Sequence, residues 1–428
     1  MSRARAFLGL CAVGVMLALP LSSAQAGAFS IYEQGARAMG RASAFAASPS
    51  DPSAMFYNPA GLAMLDGTQI YVGATLIAPS GEFEGSGALA GVTETQASQL
   101  FPLPNVYISH RMNDKLVLGL GVTAPFGLGT EWEDPAAFTG RYLATKTDIQ
   151  ALSINPTVAF SVSDQLSIGV GVDFRMMSKL TLNRYSFYDA TAFGMGLLDV
   201  ATAELETDMA SAIGYNAGLL FKASDQIMLG ASYRAAVDMD YEGTATITQI
   251  LTGVAPIDGA VAATAGDHDV ATSIAYPSVT TFAIAFKATD QLLLEADVNL
   301  TGWSSFEKLV VTGLPTGTET IDEDYENSMT IRIGAEYWKD DTMAIRAGFL
   351  LDQTPVPNKS ISPLLPDAQR TGFSFGIGKT FGSMTIDAAF MYLMFGDADT
   401  NDEHVAYNGI YKNSALLFGL NVGYAIGK

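Results

Sequence analysis

Apolar and polar residues alternate with a period of two along most of the chain beyond residue 68. From Leu152 to Val162, apolar residues occupy the even positions, and small or polar residues occupy the odd positions. The same pattern runs through 292–300 and 329–337. Because side chains two residues apart point to the same face of a β-strand, this period predicts strands with one apolar face and one polar face.

The alternation predicts about fourteen strands, an even number that suits a closed antiparallel barrel. In a soluble sandwich the apolar faces would meet in a core. In a membrane barrel they would face lipid, and the polar faces would line the lumen. The predicted strands are 69–79, 102–110, 116–128, 147–162, 166–181, 209–222, 227–243, 270–287, 292–306, 327–338, 342–354, 370–381, 384–395 and 411–427.

Tight-turn sequences recur between pairs of these strands. Their Asx and Ser/Thr residues can bond to their own backbone. Successive turns are about 50 to 65 residues apart, which leaves room for two strands and one long loop in each unit of an up-and-down barrel. The turns are Asn113-Asp114-Lys115, Ser163-Asp164-Gln165, Ser224-Asp225-Gln226, Thr289-Asp290-Gln291 and the looser Lys339-Asp340-Asp341-Thr342.

Composition favours the membrane barrel over the sandwich. Only 16% of the 428 residues are charged, yet past residue 26 no apolar run reaches the roughly 18 residues that a membrane helix needs. We therefore expect an all-β, transmembrane, antiparallel up-and-down β-barrel of about fourteen strands. Aromatic residues beside the turns are typical of a membrane interface, namely Tyr107, Phe160, Phe221, Phe286, Tyr337 and Trp338.

The first 26 residues have the pattern of a secretory signal peptide. Arg3 and Arg5 precede an apolar stretch from 6 to 20, and Ala24-Gln25-Ala26 is a small-residue cleavage site. We expect cleavage after Ala26, a luminal plug or hatch over 27–68 and a barrel over 69–428. The only cysteine, Cys11, lies in the signal segment, so the mature chain is expected to form no disulfide.

Charge and the small number of histidines limit the possible chemistry. The formal net charge is −21, which argues against a nucleic-acid partner. The three histidines form no arrangement with serine and aspartate that suits catalysis, and no metal-ligand set or phosphate loop is present. We therefore expect no enzyme activity, no cofactor and no metal. The acidic run over 397–403 predicts a surface loop that meets divalent ions bound to lipopolysaccharide.

The stretch from Gly35 to Leu65 is rich in small residues and nearly uncharged, and it directly precedes the first predicted strand. At its centre is Asn58-Pro59-Ala60-Gly61, in which asparagine can cap a short helix over 60–65 and proline suits the first helical position. Alone, this is an ordinary capped turn. In front of fourteen alternating strands it predicts a hatch that plugs the lumen.

The third predicted strand, 116–128, is interrupted by residues that disturb a regular ladder. Gly119, Gly121 and Gly127 permit bulges or bends, and Pro125, which precedes Phe126, lacks an N–H group. These residues either ease the curvature of the barrel or create an opening in its wall. An opening would let a hydrophobic ligand leave sideways into lipid.

Strand parity places several cations in the lumen. Arg175 and Lys179 share the polar face of the fifth predicted strand, and Arg346 is on the polar face of the eleventh. One interpretation is a ladder of internal ion pairs with acids such as Asp173 and Glu336. The alternative is that Arg175, Lys179 or Arg346 binds the carboxylate of a ligand.

Several blocks resemble the FadL-type family (OmpP1/FadL/TodX) of long-chain fatty-acid and hydrocarbon transporters of the Gram-negative outer membrane. The resemblance implies a fourteen-stranded barrel with an N-terminal hatch, capture of the substrate at the outer loops, an apolar luminal pocket and lateral exit at a kink in the third strand. The matching blocks are Asn58-Pro59-Ala60 behind 35–42, 126–132, Thr301-Gly302-Trp303, and Thr354-Pro355-Val356-Pro357 followed by Pro366-Asp367 and Arg370.

The predicted loops 182–208 and 244–269 match the family poorly, so the ligand stays open. Long-chain fatty acids are the first expectation, and aromatic or alkane hydrocarbons are the alternative. A general diffusion porin and an outer-membrane lipid-modifying enzyme are less favoured. The expected partners are a hydrophobic small molecule, outer-membrane lipid and lipopolysaccharide, with the protein a monomer in the outer membrane.

Overall fold

The computed structural model describes residues 27–404 and 407–427, apart from the side chains of residues 177 and 178. The predicted signal segment lies outside the described residues. The strands are β1 (Thr68–Gly85), β2 (Thr93–Thr95), β3 (Phe101–Arg111), β4 (Leu116–Glu131), β5 (Lys146–Ser161), β6 (Leu166–Asp189), β7 (Leu197–Thr207), β8 (Ala210–Lys222), β9 (Ile227–Arg234), β10 (Val237–Gln249), β11 (Gly266–Tyr276), β12 (Val279–Lys287), β13 (Leu292–Thr301), β14 (Lys308–Leu314), β15 (Gly317–Asp322), β16 (Ser328–Asp340), β17 (Met343–Asp352), β18 (Arg370–Phe381), β19 (Met384–Phe395), β20 (Ala398–Asp399) and β21 (Gly409–Ile426).

Helices are short. The α-helices are α1 (Ala36–Met39), α2 (Ala54–Tyr57) and α3 (Ala255–Ala262). Single 3-10 turns are formed by Pro59–Met64, Gly87–Leu89, Thr191–Phe193, Trp303–Ser305 and Asn358–Ser360. Within the described part of the chain, no helix is both long enough and apolar enough to cross a membrane.

Fourteen of the strands in the described residues form one closed antiparallel barrel, as the sequence predicts. Around the wall they run β1, β3, β4, β5, β6, β8, β9, β12, β13, β16, β17, β18, β19 and β21. The barrel closes where β21 pairs with β1 over the full length of both strands, from Thr68 opposite Ile426 to Gly85 opposite Gly409.

The remaining strands extend this wall beyond the barrel on the side of the long loops. The predicted loops 182–208, 244–269 and 307–326 contain regular strands. β7, β14 and β15 lie within them, and β10 and β11 extend into 244–269 from the predicted strands on either side. The predicted strand 270–287 is broken between β11 and β12, where Pro277 lacks the N–H group that a continuous ladder needs.

Burial shows which way the alternating faces point. On β21, Leu420 is 57% exposed and Val422 is 43% exposed, whereas Asn421 between them is fully buried. On β5, Val158 is exposed, and Ser153 faces inward with no exposed surface. Apolar side chains therefore face outward and polar side chains face inward, which is the arrangement of a membrane barrel and not of a soluble sandwich.

The short turns have the predicted chemistry. Ser163 Oγ accepts hydrogen bonds from the N–H groups of Gln165 (3.3 Å) and Leu166 (3.2 Å). Thr289 Oγ1 accepts from Gln291 and Leu292 in the same way. These side chains satisfy the turn backbone locally, which fixes the register of each hairpin.

Candidate functional site: the luminal segment and a break in the wall

Residues 27–67, here called the luminal segment, fill the inside of the barrel. Asn58 is fully buried at its centre. Its Oδ1 accepts a hydrogen bond from the Ala60 N–H at 3.1 Å, and its Nδ2 donates to the carbonyl groups of Ala46 (2.7 Å) and Leu219 (3.0 Å). The predicted cap is present, but the turn that follows, Pro59–Met64, is a 3-10 helix. Asn58 thus ties two parts of the luminal segment to strand β8.

Two glycines that lie opposite each other in the wall contact this turn. A wall glycine that contacts the luminal segment in this way is here called a glycine seat. Gly169 of β6 and Gly218 of β8 are direct partners in the sheet. A Cβ atom on Gly218 would lie 2.8 Å from Pro59 Cδ and would also overlap Asn58 Oδ1. A Cβ atom on Gly169 would overlap the peptide between Pro59 and Ala60. The turn therefore rests on bare backbone, and neither position has room for a side chain.

Other glycines of the wall make the same close approach around the lumen. At each of them an added Cβ atom would lie within 3.0 Å of the luminal segment. At these positions the segment therefore contacts the backbone of the wall rather than side chains. The pairs are Gly230 with Ala46, Gly334 with Arg41, Gly348 with Ala42, Gly376 with Gly40 and Gly419 with Met39.

Two carboxylates of β13 hold the middle of the luminal segment. Asp297 accepts hydrogen bonds from the N–H groups of Phe45 (2.9 Å) and Ala46 (3.1 Å). Glu295 accepts from the Ala47 N–H at 2.6 Å and pairs with the Arg41 guanidinium at 3.0 Å. Charge-assisted hydrogen bonds of this kind are stronger than neutral ones, so this part of the segment is firmly attached.

The predicted luminal cations differ in their surroundings. Arg346 is bound to Glu336 (2.5 Å) and to Asp387 (2.7 Å), which is the internal pairing that the sequence predicts as one alternative. Arg175 pairs with Asp173 at 3.0 Å, but its Nε and Nη1 atoms have no hydrogen-bond partner among the described residues. The Arg175 guanidinium lies 5.0 Å from the centroid of the Phe126 ring.

Lys179 does not face the lumen as the alternation predicts. The β5–β6 register shifts by one residue between Gln150 and Ala151, and this bulge inverts the alternation of β6 beyond it. Leu180 is therefore buried. The Lys179 side chain is 46% exposed and pairs with Glu206, whose side chain is 56% exposed.

The predicted break in the wall lies in β4. The register of β4 against β5 shifts between Thr123 and Phe126, so one extra residue bulges out of β4. On the other side of β4, pairing with β3 extends only as far as Val106 opposite Val122. Beyond that point, residues 101–105 and 123–128 face each other without pairing.

The luminal segment bonds to the exposed edge of β4 where β3 does not. The Ile31 N–H donates to the Pro125 carbonyl at 2.9 Å, and the Gly127 N–H donates to the Phe29 carbonyl at 3.0 Å. The Gln34 Nε2 donates to the Ala124 carbonyl (2.6 Å), and the Gln34 Oε1 accepts from the Ala124 N–H (3.1 Å). The Gln34 side chain thus makes the two hydrogen bonds that a neighbouring strand would make with Ala124.

A cavity of about 480 Å³ passes through this break. Its inner end is lined by Asp367 and Arg370, and its outer end by Leu152 and Pro102, whose side chains face outward. Arg370 pairs with Asp367 at 2.9 Å and lies 3.8 Å from Asp352. The cavity thus joins the lumen to the outer surface through a wall that is mainly apolar.

The structure separates the residues predicted for the opening into two groups. Pro125, Phe126 and Gly127 lie at the break. Gly119 and Gly121 lie lower, in the part of β4 that pairs with β3. A Cβ atom on Gly119 would lie 2.7 Å from both Leu62 Cδ1 and Met55 Sδ. Gly119 and Gly121 therefore make room for side chains beside the lumen and do not open the wall.

Sequence reasoning missed the residues that complete the break. Phe29, Ile31 and Gln34 show no local signal, because their role depends on contacts with a distant strand. Pro102 and Pro104 did offer one, since two prolines inside a predicted strand mark an edge without a neighbour.

A closed antiparallel barrel with an apolar outer face, a filled lumen and an apolar path through its wall is an outer-membrane channel for hydrophobic compounds. The chain belongs to the family described as outer membrane protein transport protein (OMPP1/FadL/TodX), whose model matches residues 17–426. This confirms the resemblance seen in the sequence and places the chain in the outer membrane of a Gram-negative bacterium. Members of this family are transport proteins rather than enzymes.

Similar proteins cover almost the whole chain. The 47 kDa outer membrane protein of Pasteurella multocida is 28% identical, with 95% of this chain and 96% of that protein covered. The long-chain fatty acid transport protein of Escherichia coli O6:H1 is 26% identical, with 97% and 98% covered.

Solved structures agree on the fold. A Pseudomonas aeruginosa FadL homologue superposes with a TM-score of 0.83 at 23% identity, covering 94% of this chain and all of that one. The Pseudomonas putida toluene transporter TodX gives a TM-score of 0.69 at 18% identity, covering 90% and 97%.

Proposed function

We propose that this protein admits hydrophobic compounds, foremost long-chain fatty acids, and releases them sideways into the outer membrane between β3 and β4. The observation that carries the proposal is the continuous cavity from Arg370 in the lumen to Leu152 on the outer face. Capture at the outer loops would precede entry into this cavity. The fatty-acid substrate is supported by the E. coli relative, which is named for long-chain fatty acid transport.

Lateral release is favoured by the hydrophobic effect. Each CH₂ group that moves from water to hydrocarbon gains about 0.8 kcal/mol. A long acyl chain released into the aqueous periplasm would lose on the order of ten kcal/mol over its length, whereas a chain that leaves through the wall stays in an apolar medium. The transfer therefore requires no energy source.

The luminal segment has the features of a hatch with a fixed part and a movable part. The fixed part is tied to the wall by Asn58, Asp297 and the glycine seats. The movable part is the stretch 27–34, which bonds to the edge of β4 through Phe29, Ile31 and Gln34. We propose that withdrawal of this stretch opens the break and that 27–68 acts as one hatch unit.

Arg175 is the cation best suited to meet a fatty-acid carboxylate. Its Nε and Nη1 atoms have no partner among the described residues, and they lie beneath the Phe126 ring, which in turn packs on Phe29 at 6.2 Å between ring centroids. Movement of Phe29 and Phe126 would bring these N–H groups into contact with the cavity. A carboxylate would satisfy both of them. Arg346 already has two carboxylate partners, and Lys179 is exposed.

A neutral hydrocarbon is the second candidate substrate. Among the described residues that line the cavity, the one arginine is Arg370. Its charge is offset by Asp367 and Asp352, which leaves its Nε as its one N–H group without a partner among the described residues and makes this end of the cavity weakly suited to a carboxylate. The Pseudomonas putida structure is named as a toluene transporter.

We also propose that the protein acts as a monomer in contact with lipopolysaccharide. The monomer is supported by the closed barrel, in which every barrel strand has both neighbours within one chain. The acidic loop around Asp399 and Asp402 would meet the lipopolysaccharide through its divalent ions.

The test is cellular uptake of radiolabelled oleate and radiolabelled hexadecane by a strain that lacks its own fatty-acid channel. Deletion of Pro125 removes the extra residue of β4 and should extend its regular pairing with β5. We expect the deletion to abolish uptake of both compounds while the barrel still resists unfolding by detergent. Full uptake by the deletion variant would exclude the lateral route.

A further inference from the structure

The edge of β3 that borders the break lacks hydrogen-bond donors because of two prolines. The Arg111 N–H donates toward β1, to the Gly67 carbonyl at 2.9 Å, and the Met112 N–H donates toward β4, to the Leu116 carbonyl at 2.8 Å. The direction alternates along a strand, because the N–H and C=O groups of one residue point to the same neighbour. Even-numbered residues of β3 therefore face β4, among them Pro102 and Pro104.

The register locates the missing donors. Val106 pairs with Val122, and continuing that pairing would set Pro104 opposite Ala124. Beyond Ala124 the extra residue of β4 shifts the register by one, so Pro102 would lie opposite Gly127. Ala124 lies within the bulge of β4, between Thr123 and Phe126, and Gly127 lies just beyond it. Because proline has no N–H, β3 offers no donor at either position.

The carbonyl groups of β4 at the break accept hydrogen bonds from the luminal segment. The Ala124 carbonyl accepts from the Gln34 side chain, and the Pro125 carbonyl accepts from the Ile31 N–H. Both donors belong to the stretch proposed to move. When it withdraws, these carbonyl groups lose their partners, and a β3 edge with donors would pair with them and close the wall.

We infer that Pro102 and Pro104 are positioning residues that keep the exit open after the luminal segment withdraws. This inference rests on the proposed lateral release. The break is then formed by both strands, since the bulge displaces β4 and the two prolines prevent β3 from following it. Both proline side chains are exposed on the outer face, so a valine at either position would fit the surroundings.

The test is the double variant Pro102→Val, Pro104→Val, which restores both N–H groups. We expect oleate uptake to fall by about ten-fold, the effect of two added ladder bonds on the closing equilibrium. Binding of oleate to the purified protein, measured by calorimetry, should fall far less than uptake, because valine keeps the lining of the cavity apolar and the added N–H groups act on release. A merely structural role would weaken binding and uptake together.

Pro156→Val is the matched control. Pro156 also lies within a strand, opposite Leu120 and away from the break, so restoring its N–H group should leave uptake unchanged. The single variants Pro102→Val and Pro104→Val each restore one N–H donor. They provide the same uptake and binding test if the double variant does not fold.

The outcomes separate the two proposals. If uptake by the valine variants is normal but deletion of Pro125 abolishes it, the role of the prolines is overturned and lateral release stands. If neither change reduces uptake, lateral release itself is overturned. Reduced uptake in the double variant with largely retained binding supports both.

Discussion

Gly169 of β6 and Gly218 of β8 lie directly opposite each other, and the Asn58-Pro59 turn rests on both of them. Gly169 contacts the backbone of the turn, and Gly218 contacts the side chains of Asn58 and Pro59. Cores do not tolerate added atoms at such positions without a shift of the backbone. The two glycines therefore determine how deeply the luminal segment sits in the barrel.

Gly218→Ala should unseat this turn, because the new methyl group would overlap Asn58 and Pro59. We expect a loss of stability of about 1–3 kcal/mol and a rise in the leakage of small antibiotics through the barrel. Leakage is measured as drug sensitivity, and stability as the temperature at which the barrel unfolds in detergent. Gly259→Ala is the control, since nothing lies within 4 Å of that position; equal effects of both substitutions would contradict this role.

Asn58→Ala should loosen the luminal segment while the barrel stays folded. The substitution removes the acceptor for the Ala60 N–H and the donor to Ala46 and Leu219, and loss of a cap costs about 1–2 kcal/mol. Single-channel recording should show openings that the native protein lacks. Asn58→Asp keeps the acceptor and loses the donor, so its effect should be intermediate. Silent recordings from the alanine variant would show that Asn58 is only an ordinary cap.

Arg175→Met should reduce oleate uptake more than hexadecane uptake. Removal of one charge-assisted contact lowers the affinity for a carboxylate about ten-fold but leaves a neutral alkane unaffected. Asp173 keeps a partner in this variant, because Arg234 binds it at 2.9 Å. Uptake assays with both labelled compounds measure the difference. Equal losses for the two compounds would exclude a carboxylate role for Arg175.

We expect the stability of the loop between β15 and β16 to depend on pH because of the buried carboxyl group of Glu323. Burial raises the pKa of its carboxyl group to about 8, with the Tyr325 side chain as a hydrogen-bond partner. The pKa of Glu323 is higher in the folded protein than in the unfolded chain. The contribution of Glu323 to the stability of the loop is therefore fully present below the unfolded pKa, and it is lost as the pH rises toward 8. Amide hydrogen exchange at 323–325, corrected for the intrinsic rate, should be faster at pH 8.5 than at pH 6. Glu323→Gln should remove this dependence, and its persistence in that variant would assign it to another group.

The strands could be predicted from the sequence because lipid and lumen impose opposite demands on the two faces of the wall. Leu420 and Asn421 show the contrast at neighbouring positions. The prediction for Lys179 was wrong because one bulge inverts the alternation, and a bulge in β6 leaves no mark in the residue types around it.

The site was less predictable than the barrel. Pro125 and Gly127 signalled a break by their own backbone properties, but Gln34 acts through a contact with Ala124 across 90 positions of the chain. No local pattern encodes such a contact. The partners of Arg346, by contrast, followed from parity, since Glu336 lies on the neighbouring strand β16, Asp387 lies two strands away on β19, and all three side chains point inward.

The glycine seats have a consequence for how the barrel assembles. Glycines on at least seven of the fourteen barrel strands contact the luminal segment, so at least half of the strands of the wall are shaped to it. These strands include β6, β8, β9, β16, β17, β18 and β21. The segment precedes β1 in the chain, whereas the seam between β1 and β21 needs the last strand. We therefore expect the cylinder to close around the luminal segment rather than to admit it afterwards.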